Sequence, residues 1–183
     1  MAAVGGLFFG KWKEKDSISK MYARTDFTLL TEKGELFQLS KFPKEKLLML
    51  VFTPDELSPK LVKIFHQFAL ELPRLEKLGI EVKMISRTNR EIARNFKEAA
   101  RFDRDLLVDT SGSVGRNLGI WPDLQPVETW GYVLMNSQIQ LFWAATDTHP
   151  MTVSEIIDEL KKVGARLQTK NSSPKESGSS GSP

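Results

Sequence analysis

The run Leu47-Leu48-Met49-Leu50-Val51-Phe52 carries no polar residue, lies between lysines and Thr53-Pro54, and predicts a strand buried on both faces. Such strands belong to sheets with helices on either side. Before it, the apolar run Phe27 to Leu30, the turn Glu32-Lys33-Gly34-Glu35 and the group Leu36, Phe37 and Leu39 predict a small hairpin. After it, Ser58 supplies a helix N-cap and Pro59 the first helical position, and Leu61, Ile64, Phe65, Phe68 and Leu72 recur at helical spacing. Pro73 is expected to kink or break this helix and Gly79 to end it.

Ile80-Glu81-Val82-Lys83-Met84-Ile85 alternates as a strand. Thr88 and Glu91 have the spacing of a capping box ahead of a second helix, expected to bury Ile92, Phe96 and Ala99 or Ala100. Leu106-Leu107-Val108 predicts a short strand closed by the turn Asp109-Thr110-Ser111-Gly112. Tyr132 to Met135 and Ile139 to Trp143, separated by Asn136-Ser137-Gln138, predict another hairpin. Thr152 and Glu155 form a capping box for a last helix, with Ile156, Leu160 and Val163 on one stripe and Gly164 as its stop. This order of elements predicts an α/β fold in which a mixed central sheet is flanked by helices.

Composition changes this picture chiefly by what it lacks. The 183 residues contain no cysteine, which excludes disulfides, thiolate metal sites, iron–sulfur clusters and every cysteine-nucleophile mechanism. The net charge of +3 and a pI near 9.1 permit an anionic partner but fall short of a nucleic-acid-binding excess, so no specific nucleic acid is expected. The chain suits one domain, 23–167, between an N-terminal arm, 1–22, and a tail, 168–183, expected to be disordered because it holds no large apolar residue. The apolar stretch Ala2 to Phe9 is interrupted by Gly5 and Gly6, making a poor signal peptide and a segment too short to span a bilayer. No membrane span and a cytoplasmic location are therefore expected.

Several segments resemble, in order over residues 23 to 163, the peroxiredoxins of the alkyl hydroperoxide reductase and thiol-specific antioxidant family. Ala23 to Leu29 is similar to the family's opening A-P-D-F-x-L, and Leu50-Val51-Phe52-Thr53-Pro54 to its central strand leading into the active-site loop. Gly79 to Ser86 resembles its G-V-x-V-x-x-I-S strand, Leu107 to Val114 its L-x-D-x-x-G-x-V turn, and Tyr132 to Ile139 its F-I-I-D-x-x-G-x hairpin. The resemblance implies a thioredoxin-like three-layer fold. It also locates the family's P-x-x-x-T-x-x-C motif at Pro54, Ser58 and Leu61, so that a leucine stands where the peroxidatic cysteine would be. The arginine that the family places before the hairpin falls on Thr129 or, with a shift of one residue, on Trp130. What is implied is the family's fold without its reaction.

The residues themselves agree. Leu61 falls at the third position of a helix whose free N–H groups and positive dipole end would favour a thiolate, yet leucine has nothing to ionise. Outside that site, Arg87, Arg90, Arg94, Lys97, Arg101 and Arg104 recur every three or four residues and form a candidate anion-binding stripe. The competing reading is a solvated helix face opposite Ile92 and Phe96, partly balanced by Glu91, Glu98 and Asp103. His66 and His149 have no further ligand at metal spacing, so neither a metal nor a cofactor is expected. Asp55 and Glu56 read as charge dressing before a helix N-terminus, Gly112-Ser113-Val114-Gly115 lacks a phosphate loop's lysine, and Trp121, Trp130, Trp143 and Phe142 read as packing residues.

The function expected is that of a non-catalytic peroxiredoxin-like protein with a protein-binding or scaffold role, its partner unidentified, with a homodimer as a further expected contact. The alternative is an antioxidant-family oxidoreductase or another enzyme that uses non-thiol chemistry, from Asp55, Glu56, Ser58 and His66, or a partner's cysteine.

Overall fold

The computed structural model describes residues 26–54, 58–121 and 129–171, with side chains to Val163. Strands β1 (Thr28–Thr31) and β2 (Leu36–Gln38) form the first hairpin, and a 3₁₀ turn, Leu39–Lys41, leads to β3 (Leu47–Phe52). Helix α1 (Pro59–Glu76), β4 (Ile80–Ser86), α2 (Arg90–Ala100), β5 (Leu106–Val108) and the short α3 (Ser113–Asn117) follow. Strands β6 (Trp130–Met135) and β7 (Leu141–Asp147) and helix α4 (Val153–Asn171) complete the order.

All seven strands join one sheet in the order β2-β1-β5-β4-β3-β6-β7. Only β3, β4 and β5 run parallel, because helical crossovers α1 and α2 return the chain to the same end of the sheet. Alternation along β3 then divides the interior. Met49 and Val51 face a core shared with α1, α2 and α4, whereas Leu48, Leu50 and Phe52 face a second core with α3 and the 3₁₀ turn. The result is the mixed sheet flanked by helices expected from the order of elements, in the three-layer, thioredoxin-like arrangement that the resemblance implies. Among the described residues, no helix is long and apolar enough to cross a membrane.

Local chemistry moved several boundaries. Pro73 does not break α1, which continues to Glu76, and one further turn lets Leu75 reach the core. Helix α2 is capped by Asn89, whose side chain accepts from the Ile92 amide at 2.9 Å, in place of the expected Thr88–Glu91 box. The face that turns inward is then Ala93, Phe96 and Ala100, and Ile92 is left 47% exposed. Ile139 sits in the β6–β7 loop at φ 63° instead of in the strand, because Asn136 Oδ1 accepts from the amides of both Gln138 and Gln140 and wraps the loop around itself.

Helix α4 opens on the expected box, with the Glu155 amide donating to Thr152 Oγ1 at 3.2 Å and the Thr152 amide to Glu155 Oε2 at 2.7 Å. It passes through Gly164 to Asn171 and so enters the segment expected as tail. One glycine costs a helix interior only about 1 kcal/mol, and the residues after it are mostly good helix formers. The arm 1–22 and residues 172–183 lie outside the described residues.

Candidate functional site

The motif positions meet where β3 ends and α1 begins. Ser58 has extended backbone geometry and accepts from the Leu61 amide at 2.9 Å through its carbonyl, but its hydroxyl makes no capping bond. Pro59 follows as the first helical residue, which places Leu61 in the first turn. Its side chain is 8% exposed and belongs to the same core as Phe65 and Trp130. Pro54 is buried, and Thr53 is fully buried with its amide bonded to the Ile85 carbonyl and its hydroxyl unpartnered among the described residues. Asp55 and Glu56 lie outside the described residues.

Trp130 opens β6, one step beyond the Phe52–Gly131 pair, and therefore stands beside Thr53. Its ring lies 5.9 Å from that of Phe65, one turn further along the helix that carries Leu61. Thr129 is half-buried just outside the strand. Leu61, Phe65 and Trp130 thus share one core at the start of α1. Next to them an apolar cavity of about 10 Å³, lined by Val51, Phe65, Phe68, Trp130, Tyr132 and Met151 among others, has room for about one water. The Tyr132 hydroxyl accepts from the Met151 amide at 2.8 Å, and burial pushes its phenol well above the usual range, so it stays neutral.

The cationic stripe is largely occupied by structural contacts. Lys97 pairs with the buried Glu32. Arg94 and Arg90 donate to the backbone carbonyls of Glu32 and Lys33 at 3.3 and 3.4 Å. Arg87 lies 5.4 Å from the ring of Trp121, a cation–π distance. Arg101 supplies the left-handed C-cap of α2, and Arg104 bonds Glu76 and Asp103, with the Glu76 bond raising its guanidinium above the usual value. The stripe is therefore not one surface, since its upper half grips the first hairpin and its lower end grips α1.

The remaining residues singled out by sequence stay apart. His66 Nδ1 meets the Ala100 carbonyl at 3.2 Å, whereas His149 is exposed beside Thr148. Among the described residues, no three histidine or carboxylate side chains cluster as metal ligands would. Trp121 packs against Phe52 at 5.1 Å on one side of the sheet, and Trp143 against Tyr132 at 6.2 Å on the other. Asp109 is the polar group that sequence reasoning undervalued. Buried at the end of β5, it accepts from the amides of Ser113, Val114 and Gly115 at 3.0, 2.9 and 3.2 Å and so creates α3.

The sheet and its helices define a thioredoxin-like domain in which the first turn of α1 is packed into the core through Leu61. Residues 22–166 match the family model described as the AhpC/TSA family, and the chain belongs to that family. No curated protein sequence matches it. Among solved structures it is similar to the peroxidoxin BcpB of Mycobacterium tuberculosis, at 21% identity and a TM-score of 0.62 over 79% of this chain and 93% of that one. It is also similar to PrxQ of Xylella fastidiosa, at 15% identity and a TM-score of 0.63 over 91% and 98%. For the reduced 2-Cys peroxiredoxin of Plasmodium vivax the figures are 14% and 0.65 over 80% and 95%. At these identities the likeness is one of fold. A peroxiredoxin fold without any cysteine cannot form a sulfenic acid on its own chain.

Proposed function

We propose that this protein is a non-catalytic member of its family that acts in the cytoplasm by binding another protein, through the former active-site face or the segment between Trp121 and Trp130, most of which lies outside the described residues. The observation that carries this reading is Leu61, packed into the core with Phe65 and Trp130 at the first turn of α1. Refilling a catalytic pocket with apolar side chains keeps the fold and removes the chemistry, which leaves the surrounding surface as the part under functional use. Self-association belongs to the same reading, because β2 and β7 are both sheet edges and an edge can accept a further strand.

A photo-crosslinking residue at Lys60, exposed in the first turn of α1, tests the proposal against one at exposed Lys161 on α4. A discrete crosslinked partner at Lys60 that is absent at Lys161 supports it. The same products at both positions, or none at Lys60, would refute binding through this face.

A further inference from the structure

Among the described methionines only Met151 reaches solvent. It is half-buried between β7 and α4, whereas Met49, Met84 and Met135 are at most 1% exposed. Met151 lines the small cavity beside Trp130, and so does Tyr132. Two further lining residues, Ile64 on α1 and Pro150 in the turn before α4, are also half-buried. The cavity therefore lies directly beneath the surface on that side.

The Tyr132 hydroxyl supplies the second half of the site. Its oxygen accepts from the Met151 amide at 2.8 Å, which ties β6 to the start of α4. Its own proton finds no acceptor among the described residues, although the side chain is only 1% exposed. A buried donor left open beside a cavity calls for a small polar guest. Because burial keeps the phenol neutral, that donor is present at physiological pH.

We propose that hydrogen peroxide enters this cavity and oxidises Met151 there, held by a hydrogen bond from the Tyr132 hydroxyl. A thioether lone pair forms a bond to one peroxide oxygen as the O–O bond breaks. The sulfur gives two electrons to the departing oxygen, which takes the proton of the oxygen now on sulfur and leaves as water. A donor at the departing oxygen assists this step, since negative charge develops on it. With room for about one water, the cavity admits hydrogen peroxide end-on and excludes branched hydroperoxides. Return to the thioether needs a methionine sulfoxide reductase, so the step runs once per chain and is not turnover. It uses neither Leu61 nor partner binding and does not depend on either.

The test is site-resolved mass spectrometry of sulfoxide formation in the full chain, with Lys161→Met as an exposed reference on α4. With hydrogen peroxide, Met151 should be oxidised at least as fast as the reference in spite of its lower exposure. With tert-butyl hydroperoxide it should fall well behind. Tyr132→Phe keeps the ring and should slow the hydrogen peroxide reaction at Met151 about fivefold, the value of one hydrogen bond. Ile64→Phe narrows the mouth, leaves the hydroxyl in place and should also slow it, and thermal midpoints check that both variants fold. If Met151 lags the reference equally with both oxidants, exposure alone sets its rate and the proposal is overturned. An unchanged or raised rate in Tyr132→Phe with a native midpoint overturns it too. Where that variant melts early, Ile64→Phe decides, and an unchanged rate there overturns it.

Discussion

Lys97 reaches across from α2 to the carboxylate of Glu32, a side chain only 2% exposed in the turn of the first hairpin. The other carboxylate oxygen accepts from the Leu106 amide at 2.9 Å, while the Glu32 amide donates to the Leu106 carbonyl. One acidic residue thus ties β1, β5 and α2 together. Removing one partner of a buried pair strands the other, which costs far more than the pair itself contributes. Lys97→Ala should therefore destabilise the fold by about 3 kcal/mol. Glu32→Gln should cost less, because the amide oxygen still accepts from Leu106 and Lys97, 13% exposed, can turn toward water. Urea unfolding of both variants and the double mutant checks the order, and the double should lose less than the sum.

Acid should loosen the same hairpin at its other end. Asp26 accepts from Ser40 Oγ at 2.6 Å, from the Ser40 amide at 2.9 Å and from Gln38 Nε2 at 2.9 Å, and these bonds, led by those of the Ser40 and Gln38 side chains, hold its carboxyl below the usual range. A depressed folded-state pKa contributes stability above the unfolded value and loses it as pH falls through the folded one. Asp26→Asn should show a flatter stability profile below about pH 4 than the native chain, and identical slopes would contradict this.

Two glycines are fixed by close approach. A Cβ at Gly115 would lie 2.0 Å from the Trp121 ring, and one at Gly131 would lie 2.1 Å from Ile120 Cγ2. Gly115→Ala should cost about 2 kcal/mol or more, since a buried indole has to move. The indole proton resonance of Trp121 should shift as well. A thermal midpoint equal to that of the native protein would show that Trp121 does not pack as described.

Much of this architecture was legible in sequence because its signals are local. The apolar run Leu47 to Phe52, the Ser58-Pro59 start and the Thr152–Glu155 box each specify an element through neighbouring residues alone. What escaped depends on competition or distance. Thr88 and Asn89 are both good caps, and Asn89 prevails while the Thr88 amide donates to Ser86 Oγ at 3.3 Å, a choice that turns Ile92 outward. The stripe from Arg87 to Arg104 was visible, but the carbonyls it grips lie about sixty residues away in sequence. Glu32 stands out in sequence only as part of a hairpin turn, because its partners Lys97 and Leu106 also lie far along the chain. At the site, the missing cysteine could be read directly. That Trp130 packs against Phe65 needed the β3–β6 register.

Restoring a thiol probes the local electrostatics of the remnant. Leu61→Cys should fold with a loss of about 1–3 kcal/mol from reduced packing. Its thiol sits where first-turn amides are not used by the Ser58 hydroxyl, and those donors favour the thiolate. Although burial acts the other way, the alkylation rate should rise at lower pH than for a cysteine at exposed Lys63. An ordinary or raised thiol pKa would mean that α1 does not present its amides to this position.

Peroxide consumption by the native, cysteine-free chain in the presence of a thiol reductant tests the account most directly. Leucine at position 61 cannot be oxidised to a sulfenic acid, so the rate should equal that of buffer and reductant alone at every peroxide concentration. Turnover that scales with protein and saturates with peroxide would contradict the claim that this fold has kept its family's architecture and lost its reaction.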